Sequence, residues 1–351
     1  MKHYIIPVFI PHYGCTHACV FCNQQKITGH VMPVAVQEVA GIIDEHLERI
    51  TEKRHIEVAF YGGSFTALDV EVQSELLAPA YRALQQGRIH GIRLSTRPDC
   101  IDEMIVQNLI AFGVSTIELG VQSLDNKVLQ ASARGHSATH VIQAVHLIKK
   151  MGLRCGIQLM PGLPQEDWAS LIATIQGVIK LAPDFVRIYP TIVIAHTKLA
   201  EMYDDGSYVP LSLSAGVARA AFIKLLFAEQ NIQVIRTGLQ ATEELGNRDV
   251  VLAGPYHPAF GEMVDSYLFY LMLVHCTESL SLGENSDILI HHHSRDTSKL
   301  RGLKNSNIKK LHSIYNISHL TLKADGQKLD ELVIEYENIC YVINKKMLFY
   351  I

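Results

Sequence analysis

Pro11-His12-Tyr13-Gly14-Cys15-Thr16-His17-Ala18-Cys19-Val20-Phe21-Cys22-Asn23 is the stretch on which the reading of this chain turns. Three of the seven cysteines fall here, spaced Cys-x-x-x-Cys-x-x-Cys, directly after an apolar run from Ile5 to Ile10 that reads as a strand. Three thiolates on one loop can grip a single inorganic centre. A purely structural four-iron cluster wants four protein ligands, so this trio would leave one iron open for a small molecule. The same residues also suit a structural zinc ion with His12 or His17 as fourth ligand. A pair of structural cysteines with a bystander is the third reading.

Composition narrows the setting. The 351 residues suffice for one large α/β domain and a small appendage, and 48% hydrophobic residues is an ordinary globular content. No apolar run reaches the length of a membrane span, so no membrane association is expected. Met1-Lys2-His3-Tyr4 leads into a strand and does not read as a signal peptide. A net charge of -4 argues against a chain-wide nucleic-acid binder but leaves room for a local basic patch. Cys100, Cys155, Cys276 and Cys340 are scattered, which is no disulfide framework. A reducing, cytoplasmic location follows.

Beyond the cysteine loop, strand and helix patterns alternate. Strands are expected at 56–60, 92–95, 116–121, 154–160, 185–189 and 232–235, with helices across 36–50, 70–84, 101–111, 126–131, 137–151, 166–181 and 213–228. Such alternation means parallel strands with right-handed crossovers. About six βα units make an open, partial (β/α)6 barrel over residues 1–245, with the site at the carboxyl ends of its strands. Residues 246–351 then form a small α+β C-terminal subdomain.

The distinctive residues sit just after strands. Tyr61-Gly62-Gly63-Ser64-Phe65-Thr66 follows the second, and its glycines let backbone approach a ligand closely. Thr96-Arg97-Pro98-Asp99 follows the third; Arg97 and Asp99 also suit a local ion pair. Further segments are Glu118-Leu119-Gly120-Val121-Gln122-Ser123, Arg134-Gly135-His136, Met160-Pro161-Gly162-Leu163-Pro164 and Ile188-Tyr189-Pro190-Thr191. With the cysteine loop, this ordered set over about residues 10–200 resembles the radical S-adenosylmethionine (radical SAM) enzymes. Within that group it is similar to the radical SAM domain of the elongator catalytic subunit. Gly120-Val121-Gln122 and Arg134 also resemble the oxygen-independent coproporphyrinogen oxidases.

The resemblance implies a [4Fe-4S] cluster on Cys15, Cys19 and Cys22, with S-adenosylmethionine (SAM) on the open iron. Reductive cleavage of SAM to a 5'-deoxyadenosyl radical would then begin hydrogen abstraction, with an electron donor such as flavodoxin or ferredoxin. It implies that Phe21 lies near the adenine and that Gly62, Gly63 and Ser64 meet the SAM amino group. Gln122 and Gln158 would reach the ribose, Arg134 the methionine carboxylate, and Tyr189 the adenine through backbone. Glu118 and Gln158 can equally be structural, held by neighbouring polar groups.

There are departures. The cysteines of elongator catalytic subunits are spaced more widely. Residues 245–351 carry no glycine pattern for acetyl-CoA, which sets acetyl-CoA use and wobble-uridine carboxymethylation aside. Instead, Arg301-Gly302-Leu303-Lys304-Asn305, between two expected helices, resembles the turn by which a KH module clamps single-stranded backbone. Gly302 and Lys304 would then touch RNA; the other reading is a small packing subdomain that closes the barrel, with its lysines solvated. Tyr256 and His257, in the loop 254–260, are candidate substrate contacts. The expectation is a radical SAM enzyme that modifies RNA (tRNA or rRNA). The alternatives are radical chemistry on a small metabolite, or a metal-bound RNA-binding protein without catalysis.

Overall fold

The structure is a computed structural model that describes residues 2–10, 15, 17–23, 35–280, 286–315, 317–325, 328–337 and 339–350. His12, and the rest of the cysteine loop before Cys15, lie outside them, as does Thr16. The first nine strands are β1 (Lys2–Phe9), β2 (Arg54–Tyr61), β3 (Gly91–Thr96), β4 (Val114–Gln122), β5 (Arg154–Leu159), β6 (Phe185–Ile188), β7 (Val193–Ile194), β8 (Gln233–Thr237) and β9 (Val251–Ala253). Seven of them form one parallel sheet in the order β1-β2-β3-β4-β5-β6-β8, a partial barrel left open between its two edge strands. β7 and β9 make a separate antiparallel pair.

The period of two along each strand divides the residues cleanly. Ile56, Val58 and Phe60 of β2, Ile117 and Leu119 of β4, and Val186 and Ile188 of β6 belong to the main apolar core, beneath helices that include Val70–Gln85 and Trp168–Leu181. The alternate residues face the inside of the half-barrel. There, Glu57, Tyr61, Arg93, Glu118, Gln122, Gln158 and Arg187 replace the branched apolar layers that fill a closed eight-stranded barrel.

The helix Phe260–Ser279 joins two cores. Phe260, Val264 and Leu268 complete the barrel core, whereas Phe269, Met272, Leu273 and Cys276 begin the second. That second core lies against a four-stranded sheet of β10 (Asp287–His292), β11 (His319–Ala324), β12 (Glu331–Tyr336) and β13 (Ile339–Asn344), ordered β11-β10-β12-β13. β10 runs parallel to β11 through the helices Thr297–Arg301 and Ser306–Tyr315. Asn307, buried in the second helix, donates to the Ser266 carbonyl and hydroxyl and to the Leu300 carbonyl, which ties this unit to the joining helix. Among the described residues, no helix is long and apolar enough to cross a membrane.

Gly156 of β5 faces the interior, where an added Cβ would lie 2.3 Å from the buried Phe185 ring. Gly156→Ala should therefore lower unfolding free energy by about 1–3 kcal/mol, read from denaturant melts. An unchanged midpoint would show that the ring moves freely.

Candidate active site

The cysteine loop is held by its neighbours on both sides. The Val20 amide donates to the Ser132 carbonyl (3.2 Å) and the Leu199 amide to the Val20 carbonyl (2.7 Å). The Cys22 amide turns back to the Cys19 carbonyl at 3.1 Å. Arg134 Nη1 donates to Cys19 Sγ at 3.1 Å, and its Nη2 donates to the Gly120 carbonyl at 2.7 Å. Arg134 thus joins the loop to the carboxyl end of β4. A side chain at 120 would crowd the guanidinium, since a Cβ there would lie 3.3 Å from Nη2.

The thiols share one electrostatic neighbourhood. Burial raises the Cys15 thiol above its ordinary pKa and the adjacent Cys19 raises it further, while Arg97, the Ser64 backbone and Arg134 pull it down. Cys15 still keeps an exposed edge. Two thiols, Cys15 and Cys19, with two guanidinium groups beside them, and Cys22 turned back on the same loop, fit an anionic iron-sulfur cube, because the arginines offset the thiolate charge. They fit less naturally with a thiol–imidazole zinc site, which gains nothing from Arg134 on a ligand sulfur.

The glycine turn after β2 is placed by its own polar chain. Gly62 has φ of 100°, in the left-handed half that glycine tolerates. Ser64 is buried, with its hydroxyl 3.2 Å from that of Thr96 and accepting from the Arg97 amide at 3.3 Å. Arg97 also holds Asp99 with two bonds, 3.0 and 2.8 Å long, so the local ion pair is present.

At the mouth, the β4–β5 register shifts between Gly120 and Gln122, and Gln122 takes a φ of 67°. This bulge re-aims Gln122, whose Oε1 accepts from Gln158 Nε2 at 3.2 Å. The structure therefore brings Gln122 and Gln158 together, with Arg134 and the cysteine loop against the same strand end. Tyr189 follows β6, and its hydroxyl accepts from Arg187 Nη1 at 3.1 Å. Phe21 is buried, with the Arg134 guanidinium 5.9 Å from its ring centroid.

Below the mouth lies a network that the sequence reading did not single out apart from Glu118. Glu118 accepts from Tyr61 (2.9 Å) and Arg93 (3.1 Å) and lies 2.7 Å from Arg187 Nε. Arg93 bonds Glu57 as well, at 2.5 Å. Two carboxylates thus face two guanidiniums inside the barrel. The signal was available as charged residues at alternate positions of otherwise apolar strands.

The remaining candidates lie elsewhere. Tyr256 packs with Leu239, Leu245, Val250, Ile192 and Ile194. His257 Nδ1 accepts from the Ala259 amide at 3.0 Å, at the start of the joining helix. Gly302 (φ 72°) and Lys304 (φ 52°) sit between the two short helices of the second core. Lys310 stands 5.1 Å over the Tyr270 ring.

Sequence profiles now bear on this geometry. That of the Radical SAM superfamily matches residues 9–177, and that of the Radical_SAM C-terminal domain matches residues 183–269. The chain belongs to the radical SAM superfamily. It is an enzyme of that superfamily, whose cofactors are a [4Fe-4S] cluster and SAM. The tRNA uridine(34) acetyltransferase of Methanocaldococcus jannaschii is 27% identical over 246 residues, covering 64% of this chain and 44% of that protein. Elongator complex protein 3 of Homo sapiens is 27% identical over 253 residues, covering 60% and 46%. The solved archaeal Elp3 of Methanocaldococcus infernus, lacking its N-terminus, superposes with a TM-score of 0.61 at 24% identity, covering 76% of this chain and 62% of that one. That likeness speaks for the fold. The chain spans under half the length of the first curated relatives it matches.

Two outcomes test the site's electrostatics. Glu118→Ala should cost about 3–5 kcal/mol, because it leaves the buried Arg187 without a carboxylate and Arg93 with Glu57 alone, and Arg187→Met in the same chain should restore part of that loss. Additive losses in urea melts would mean that the pair is not coupled. His136 is buried, its Nε2 donating to the Val121 carbonyl at 3.2 Å. Burial first, and then Arg134, lower its pKa from 6.5 to about 3. The unfolded chain therefore takes up a proton that the folded chain refuses. Stability from this group is intact above the ordinary value and is lost as pH falls toward about 3, by up to about 1.4 kcal/mol per pH unit. His136→Gln should flatten the fall in urea midpoint between about pH 7 and about pH 5.

Proposed function

We propose that this enzyme cleaves SAM reductively and uses the resulting radical to modify an RNA base, with tRNA as the substrate class. The observation that carries the reading is Arg134 bonded at once to Cys19 and to the end of β4, with Gln122 and Gln158 paired on the same rim. When bound, the cluster and SAM supply a 5'-deoxyadenosyl radical for hydrogen abstraction.

The chain's own residues supply position and charge. Cys15, Cys19 and Cys22 would hold the cluster, and Arg134, bonded to Cys19 Sγ, would steady its thiolate. Gly62 and Gly63 allow close backbone approach by the SAM amino group, with Ser64 fixing the turn from behind. Arg134 and the amides of Gln122 and Gln158 offer donors for a carboxylate and for ribose hydroxyls. Phe21 and Tyr189 would lie along the adenine. The Glu118–Arg187–Tyr61 network forms a rigid polar floor that keeps these groups from collapsing into the lumen.

Support for RNA comes from the tRNA uridine(34) acetyltransferases among the relatives, and from the second core. There, two helices flank the Gly302-Leu303-Lys304-Asn305 turn between parallel β10 and β11. Within residues 246–351, the second core from Phe269 onward would serve as the RNA-holding unit beside the barrel. The setting is a reducing cytoplasm, with a flavodoxin or ferredoxin as the electron source.

Anaerobic reconstitution of the cluster, followed by SAM and a reductant, should yield 5'-deoxyadenosine, and Cys19→Ala should abolish it. Nucleoside mass spectrometry of tRNA from cells with and without the protein should reveal one missing modified base. Gly302→Asp with Lys304→Glu should weaken tRNA binding and flatten its salt dependence. Absence of 5'-deoxyadenosine removes the enzyme reading. Deoxyadenosine formation with unaltered tRNA and rRNA moves the substrate to a small metabolite.

A further inference from the structure

The amino ends of β1 and β2, opposite the cysteine loop, carry an unusual set of side chains. Parallel pairing places His3 beside His55, and Glu57 lies two residues further along β2 on the same face. The His3 and His55 rings are 4.4 Å apart, centroid to centroid. His3 Nδ1 lies 3.7 Å from Glu57 Oε2, and His55 Nε2 lies 3.7 Å from Glu57 Oε1. These separations exceed a hydrogen bond. They approach the spacing of two ligands on one tetrahedral ion, roughly 3.3 Å for metal–ligand bonds near 2.0–2.1 Å. The three ligand atoms lie within 4.8 Å of one another, and this is the one such group among the described residues.

We propose that His3, His55 and Glu57 form a binding site for a divalent transition-metal ion of the zinc type, at the amino-terminal end of the half-barrel. Two imidazoles and one carboxylate are a donor set that zinc accepts and that magnesium or calcium, which want all-oxygen shells, do not. The carboxylate is already oriented, because Arg93 Nη2 bonds Oε2 and leaves Oε1 toward His55. Such outer contacts are what hold metal ligands in place.

A third histidine sharpens the assignment. His90 stands 4.9 Å from the His55 ring, yet its Nδ1 accepts from the Ile56 amide at 3.1 Å. That bond keeps the ring proton on Nε2, so neither nitrogen has a lone pair to offer. His90 buttresses His55 and is not a ligand. The fourth position falls to water, since His3 is on the exposed side of the group. The ion would clip together the two strands whose other ends carry the cysteine loop and the Gly62-Gly63 turn. This site is independent of the RNA reading.

The test uses untagged protein with its cluster reconstituted anaerobically. The protein is equilibrated with zinc chloride, passed through a desalting column and analysed for zinc and iron. The expected result is about one zinc per chain above unchanged cluster iron, with a raised melting temperature. His3→Ala with His55→Ala, both at the surface end of the barrel, should lose that zinc and its thermal shift while keeping the iron and the circular dichroism spectrum. Cobalt as probe should give weak visible bands without thiolate charge-transfer absorption. No zinc above the level of the double variant overturns the site. So does zinc that enters only as iron leaves, or cobalt that shows thiolate ligation.

Discussion

One buried carboxylate organises the inside of this half-barrel. Glu118 sits at the middle of the central strand and receives Arg93 from one side, Arg187 from the other and the Tyr61 hydroxyl from above. A charge this deep is tolerable only when its lone pairs are met by donors on several strands. Those donors come from β2, β3 and β6, so the network fixes how far the sheet curls. Its cost in desolvation goes toward a polar lumen, which branched apolar side chains would otherwise fill.

The mouth inherits its geometry from that floor. Tyr61 is tied to Glu118, and the glycine turn begins at the next residue. Arg187 reaches up to Tyr189, and the bulge in β4 lies four residues beyond Glu118. Arg134 then closes the arrangement by spanning from β4 to the cysteine loop. Each of these links is short in space and long in sequence. The described end of the cysteine loop also docks by its own apolar side chains, Val20 and Phe21, which are buried with Val128, Leu163, Val193 and Leu199.

The main architecture was legible because parallel strands under helices must be apolar on the covered face, and the intervening helices carry an apolar stripe at their own period. The expected strands of the barrel all appear. The joining helix Phe260–Ser279 was not read. It is covered by two cores on different sides, so its apolar residues form no single stripe. The strands β7 and β9, two and three residues long, carry no periodic signal at all.

The sequence by itself determined the alternation of elements, the cysteine spacing and the placing of glycines and polar residues just past strand ends, since these are local properties of period and backbone freedom. Only the tertiary structure decided which polar residues meet. Arg134 finds Cys19 across 115 positions, and Arg187 finds Tyr61 across 126. Likewise His3 finds His55 because two strands pair in one register and not another. A contact between distant residues is set by sheet register and curl, and a shift of a single residue would send every one of these side chains to the opposite face.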